Sequence, residues 1–138
     1  MIEFVQGTIV GLIGARIAGI NDTTRSAIAA IIASGLAEEE PATLGEMTTA
    51  IREAGVFSEA RAETIARTET GTAYNVAAIT SYRESGLEKV EVIDGDGDPE
   101  CQAAHGQIWT LAHAEAEPLE HPNCVRDFAP YFGDEEAV

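Results

Sequence analysis

Apolar positions in the first 86 residues recur at helical spacing and are separated by glycine and acidic residues, a pattern that predicts four helices. One of these helices carries an aliphatic stripe of Ile28, Ile31, Ile32 and Leu36. We predict a helix over residues 1–18, one from Asn21 or Asp22 towards the linker at 38–41, one from the capping-box sequence 43–46 to Gly55, and a long one that starts after Ser58 and closes at Gly86.

The pattern changes after Gly86. Residues 89–93 alternate polar and apolar side chains, which predicts a half-buried strand, and residues 94–97 read as a turn. Residues 107–111 and 125–128 are candidates for two further short strands. The predicted fold class is therefore α+β, with a helical N-terminal two thirds, one long helix and a small β-rich C-terminal unit.

The predicted division of the chain is a helical region over 1–57 followed by the long helix and C-terminal unit over 58–138, within one compact protein. A chain of 138 residues is long enough to bury a sizeable core. The residues expected to share that core are Ile65, Val76, Ile79, Val90, Val92, Trp109 and Phe128.

Charge narrows the possible partners. The formal net charge of −16 repels phosphate, so direct nucleic-acid binding is not expected, and the acidity favours either a basic protein partner or simple solubility. The apolar run from Gly7 to Ile20 is interrupted by Arg16 and is too short to span a membrane. A core helix or a partner-facing helix is the better interpretation of that run.

The candidate chemistry lies near the C-terminus, where Cys101, His105, His121 and Cys124 follow the pattern C-x3-H-x15-H-x2-C. Thiolate and imidazole are the ligands that zinc prefers, and a structural site needs four ligands. Asp98 is an alternative to His105 as the fourth ligand. Two other interpretations remain open: free packed cysteines with hydrogen-bonding histidines, and a disulfide between Cys101 and Cys124.

Other motifs give weaker evidence for a binding or catalytic role. The acidic run 94–98 begins like an EF-hand loop, but Pro99 and His105 stand where glycine and glutamate are required, which favours a plain acidic turn. Arg67, Glu69 and Asn75 interleave with apolar positions of the long helix and are interpreted as a partly buried structural network. No catalytic set accompanies these residues, so no enzymatic activity is expected. The Trp109 side chain is predicted to fill the core of the C-terminal unit, and His113 is predicted to lie on the surface.

Several of these motifs occur together in a known family. They are residues 65–69 with Ala73 and Asn75, residues 94–101, residues 106–109, residues 118–126 and residues 128–130. In this order they resemble the phage Mu F-like head morphogenesis proteins of tailed bacteriophages, over about Asn21 to Tyr131. In the family pattern a further cysteine stands where this chain has Asp98, which leaves a structural zinc site completed by Asp98 or His105, or a metal-free fold.

The resemblance implies a structural minor capsid protein that acts in head assembly near the portal. The implied partners are portal and major capsid proteins, and the implied location is the interior of the virion, with the host cytoplasm during assembly. Several copies per particle are expected. An alternative from another class is a small metal-dependent hydrolase or nuclease built on the Cys/His unit, and a third is a metal-stabilised binding adaptor outside any virion.

Overall fold

The computed structural model describes residues 22–55, 57–95 and 97–138, so the helix predicted over 1–18 lies outside the described residues. It confirms the α+β fold class. Numbered from the first described element, the helices and strands are α1 (Asp22–Ala37), α2 (Leu44–Ala54), α3 (Glu59–Glu84), β1 (Lys89–Ile93), α4 (Pro99–Ala104), β2 (Ile108–Thr110), α5 (Leu111–Ala116) and β3 (Asp127–Pro130).

The chain divides into two compact units whose boundary falls between Ala73 and Tyr74, inside α3. The sequence-based division at residue 57 stays a prediction.

In the first unit, helix boundaries follow the local sequence signals. Thr43 caps α2, and its hydroxyl accepts a hydrogen bond from the backbone of Glu46 at 3.2 Å. Gly35 does not end α1. A Cβ there would lie 3.1 Å from both Ala42 and Met47, so glycine permits close packing. The cluster of buried apolar residues in this unit contains Ile28, Ala29, Ile32, Met47, Ile51, Ala62, Ile65, Ala66 and Ala73.

The second unit is built on a three-stranded sheet of order β2-β1-β3, in which both pairings are antiparallel. Val90 faces Trp109 across one pairing, and Val92 faces Phe128 across the other. Alternate residues of β1 are buried, as the polar–apolar pattern predicts. The buried cluster of this unit contains Ile79, Val90, Val92, Ala104, Trp109, Leu111, Ala114 and Phe128.

Two side chains of α3 bind backbone carbonyls in β3 and in the segment before it. Asn75 donates through its amide to the carbonyl of Arg126 at 2.9 Å and to that of Pro118 at 2.8 Å. Tyr82 donates its hydroxyl to the carbonyl of Phe128 at 3.0 Å. Asn75 and Tyr82 are seven residues apart and therefore share one face of the helix. The bond to Phe128 satisfies a carbonyl on the open edge of β3, and the bonds from Asn75 hold the chain that leads into this strand.

The residues after β3 return along the end of the sheet to its other edge. Lys89 donates its ammonium to the carbonyl of Glu135 at 2.8 Å. Val138 then donates its backbone N–H to Ile108 at 2.9 Å and accepts from Thr110 at 3.2 Å. The β2 edge is therefore covered by the last residue of the chain.

Some sequence-based predictions need correction. The strand predicted over 107–111 is shorter, because Thr110 caps α5 through a bond from His113 N of 3.1 Å. The strand predicted over 125–128 begins at Asp127 instead. His113 is not a plain surface residue, since its ring stacks on Trp109 with centroids 3.9 Å apart. Ile65 packs in the cluster of the first unit, so it does not share the core of the sheet.

Replacing Asn75 with alanine is expected to destabilise the second unit by about 1–3 kcal/mol, because two carbonyls lose their donor in a buried setting. The measurement is urea unfolding followed by the fluorescence of Trp109, the only tryptophan, which lies in the core of this unit. Tyr74→Ala is the control, since the adjacent Tyr74 is 57% exposed. Equal midpoints for the Asn75 and Tyr74 variants would contradict the anchoring role.

Candidate metal centre

Helix α4 holds Cys101 in the protein interior. Asp98 caps this helix, and its Oδ1 accepts hydrogen bonds from the backbone of Glu100 at 2.9 Å and of Cys101 at 3.4 Å. Pro99 occupies the first turn, where its missing N–H costs nothing. The sequence Asp98-Pro99 thus starts the helix, and the third helical residue, Cys101, is fully buried.

A tight turn supplies the other two groups. Cys124 N donates to His121 O at 3.1 Å, and Asn123 has φ of 62°. Proline at the second position of a turn and a positive φ at the third are the signature of a type II turn, and asparagine tolerates that conformation well. The sequence His121-Pro122-Asn123-Cys124 therefore brings its first and last side chains to the same side.

These elements bring three ligand atoms together. The Sγ of Cys101, the Nε2 of His121 and the Sγ of Cys124 all lie within 4.8 Å of one another. Cys101 Sγ is 3.3 Å from His121 Nε2 and 3.9 Å from Cys124 Sγ. A tetrahedral zinc site has bonds of about 2.3 Å to sulfur and about 2.05 Å to nitrogen. These bond lengths place a sulfur and a nitrogen ligand about 3.6 Å apart and two sulfur ligands about 3.8 Å apart. The donor set and the two distances from Cys101 Sγ thus fit a zinc ion.

The histidine is oriented for this task. Its Nδ1 lies 2.8 Å from the carbonyl of Pro122, which can only accept, so Nδ1 carries the hydrogen and Nε2 presents its lone pair to the thiols. A histidine that donates its distal N–H to a carbonyl is the usual arrangement around zinc. Both cysteines are free thiols, which disfavours the disulfide interpretation.

Burial controls the protonation of the thiols. It raises the pKa of Cys101 to about 12, and hydrogen bonding with Asp94 and with Cys124 adds to the shift. The Cys101 thiol is therefore protonated at neutral pH in the metal-free protein. Metal binding must displace that proton, because the thiolate is the ligand.

The two residues proposed for the fourth position are engaged elsewhere. Asp98 caps α4, and hydrogen bonding with Glu100, followed by that with Cys101, lowers its pKa despite an opposing desolvation. His105 accepts a hydrogen bond from Asp94 N at its Nδ1, at 3.0 Å. Neither residue belongs to the group of three, and the identity of a fourth ligand stays a prediction.

A buried ion pair next to the cysteines was missed by sequence reasoning. Arg126 donates its Nε to Asp94 Oδ2 at 3.0 Å, and both side chains are 0% exposed. It also donates to Glu120 Oε2 at 3.0 Å and lies 5.1 Å from the Trp109 ring centroid. Burial opposes its charge, but Asp94 and Glu120 outweigh burial and raise its pKa. One signal was available: Arg126 is the only lysine or arginine after Lys89.

The polar residues of the long helix occupy different environments. Asn75 is buried and anchors Arg126 and Pro118, as described above. Glu69 is also buried, at 2% exposure. Arg67 forms an ion pair with Glu63 at 2.9 Å on the exposed surface. The network of Arg67, Glu69 and Asn75 as a whole stays a prediction.

Comparison with known proteins decides the family. Residues 23–126 match the family described as Phage Mu protein F like protein, which covers well over half of the chain. The chain belongs to this family. The Mu F-like assignment confirms the resemblance carried by the helix, strand and turn motifs. It supports a role in phage head morphogenesis, a location in the phage head and interaction with other phage head proteins.

Comparisons of this Mu F-like chain with curated proteins and with solved structures gave no match. Within residues 22–55, 57–95 and 97–138, no helix combines the length and the apolar character needed to cross a membrane.

Proposed function

We propose that this Mu F-like protein is a minor capsid protein of a tailed bacteriophage. It acts in head assembly near the portal, through contacts with portal or major capsid subunits. The family match over residues 23–126 carries this proposal. The acidity of the chain supports it, because a protein with a net charge of −16 can sit beside packaged DNA without binding it.

The group of Cys101, His121 and Cys124 holds a structural zinc ion in this proposal. A catalytic zinc site must keep a position open to substrate, whereas a structural site is closed by protein. Cys101 is fully buried and Cys124 is 5% exposed, so the thiols are shielded from any substrate. The ion would join α4 to the turn at residues 121–124, about twenty residues later in the chain. This burial favours a clamp over the hydrolase or nuclease alternative.

Residues 1–18 are the proposed contact segment for other head proteins, because their sequence is apolar and nearly uncharged. Deletion of these residues is expected to abolish association with heads and with the portal. The deletion variant should retain the zinc content and Trp109 fluorescence of the intact chain, since both report on the second unit.

The test is complementation of a phage lacking this gene. Purified heads are then analysed for the protein by quantitative mass spectrometry, in parallel for the full chain and the deletion variant. Presence of the full chain at a few copies per head, with loss of the variant, is the expected result. Heads that assemble normally without the protein would refute the minor capsid role, and association that survives the deletion would refute the contact segment.

A further inference from the structure

The second unit has an open groove whose lining includes none of the three candidate metal ligands. It lies between the C-terminal end of α3 with the following turn and the residues after β3, and its volume is about 470 Å³. We call it the Phe132 groove and define it by Tyr82, Leu87, Glu88, Pro130, Tyr131 and Phe132. Phe132 is 85% exposed, the most exposed large apolar side chain among the described residues. A solvated phenylalanine beside an apolar groove marks a binding surface.

The packing of Tyr131 shapes this groove. A Cβ at Gly133 would collide with the Oη and Cζ atoms of Tyr131 and lie 3.0 Å from its Cε1. Glycine at residue 133 therefore lets the Tyr131 ring lie over the backbone. Lys89 holds the same segment, since its ammonium donates to Glu135 O at 2.8 Å. The segment that carries Phe132 is thus fixed on both sides.

Charge identifies the kind of occupant. Residues 74–138 contain fourteen acidic and three basic side chains, a formal charge of −11 out of −16 for the chain. The three cations are already engaged: Arg83 pairs with Glu115 at 2.6 Å, Lys89 binds backbone carbonyls, and Arg126 is buried. Glu88 lines the groove, and the three acidic residues at 134–136 directly follow the lining residue Gly133 in the sequence. Such a surface attracts cations and repels nucleic acid.

A second copy of this chain is a poor occupant. Two copies meeting through this face would bring their acidic residues 134–136 together, and like charges across an interface cost affinity. Apolar and aromatic groups at the centre with charges at the rim are typical of protein–protein contacts. A basic polypeptide matches both the aromatic floor and the acidic rim.

We propose that the Phe132 groove binds a basic polypeptide segment of another head protein. An apolar side chain of that segment covers Phe132 and Tyr131, and its lysine or arginine side chains face Glu88 and residues 134–136. This inference rests on the proposed role in head assembly, because it requires a partner chain there.

The test uses overlapping 15-residue peptides that cover the portal and major capsid proteins of the same phage. Each labelled peptide is titrated with the full chain, and binding is followed by fluorescence anisotropy at low and high salt. The expected binders contain lysine or arginine together with an apolar residue, and they weaken as salt increases.

Variants locate the site. Phe132→Ala is expected to weaken these peptides at least tenfold, as for a central aromatic anchor. Val125→Ala, at a second exposed apolar residue of the same unit, should leave affinity unchanged within twofold. Glu88→Lys should weaken binding severalfold, whereas Glu53→Lys makes the same change in net charge in the first unit and should not. Gly133→Ala should weaken binding by displacing Tyr131.

Three results would overturn the groove assignment: no peptide binds, Phe132→Ala binds as well as wild type, or Glu53→Lys and Glu88→Lys lose affinity equally. A dimer that Phe132→Ala dissociates, seen by sedimentation, would also overturn it, because the occupant would be a second copy. If the wild-type chain enters heads but no peptide binds, only the groove assignment fails. If the chain does not enter heads, the proposed function itself fails.

Discussion

Chelation of the zinc-loaded protein is expected to lower its melting temperature by about 15–30 °C. A ligand at a thousand times its dissociation constant stabilises the folded state by about 4 kcal/mol, and a unit of 60–100 residues shifts by about 4–8 °C per kcal/mol. The ion would act where Cys101 and Cys124 are buried together, so its removal leaves two packed thiols without their common partner.

The measurement combines elemental analysis of the untagged protein with melting curves recorded by Trp109 fluorescence before and after chelation. One equivalent of zinc per chain is expected. Cys124→Ser and His121→Ala should lose the zinc and melt near the chelated temperature. His113→Ala is the matched histidine control, because His113 lies outside the group of three and should retain one equivalent.

Two further variants assign the fourth ligand. Asp98→Asn and His105→Ala each remove one candidate, and the variant with the larger loss of zinc affinity identifies the group that completes the site. A protein that contains no metal and melts unchanged after chelation would refute the clamp. The cysteines and His121 would then hold the segment by packing and hydrogen bonds, and the metal-dependent hydrolase alternative would be refuted with the clamp.

Replacing Arg126 with alanine is expected to destabilise the second unit by about 3–5 kcal/mol, because the change leaves the carboxylate of Asp94 buried without its counter-charge. It also removes bonds to Glu120 and to the carbonyl of Glu117, and the contact with the Trp109 ring. Denaturant unfolding followed by Trp109 fluorescence measures the loss.

Arg83→Ala is the control for charge alone. Arg83 pairs with Glu115 at 2.6 Å, but both side chains are nearly half exposed, and such a pair contributes about 0–1 kcal/mol. The double variant Asp94→Asn with Arg126→Met should recover part of the stability, since it removes both buried charges together. A loss at Arg126 no larger than that at Arg83 would show that the buried pair does not hold this unit together.

Local sequence signals predicted the helices α1 to α3 and the central strand well, whereas the six-residue helices α4 and α5 were not predicted. Thr43 and Glu46 began a helix where the capping box placed it, and Gly86, with φ of 81°, follows the long helix. These features depend on a few neighbouring residues and their backbone preferences, so they can be seen in the sequence. The short strands at the C-terminus were less well placed, because a strand of three or four residues is defined by its partner.

The same distinction applies to the candidate site. The sequence named Cys101, His121 and Cys124 among five candidate ligands, because the His-Pro-Asn-Cys turn is local and both cysteines of the chain fall in one window, and the structure groups these three. It offered Asp98 and His105 as equal fourth ligands, and it gave no sign of the Arg126–Asp94 pair. The fourth ligand and the Arg126–Asp94 pair depend on contacts between side chains that are up to about thirty residues apart in the chain. Spacing along the sequence does not define such contacts.

By itself, the sequence determined the fold class, the helices α1 to α3, the family and the residue types available for a metal. Only the tertiary structure decided that Asn75 and Tyr82 bind carbonyls before and in β3, that Arg126 is buried against Asp94, and that Phe132 is exposed beside a groove. The physical reason is that backbone preferences act between neighbours, whereas burial and ion pairing depend on residues that only folding brings together.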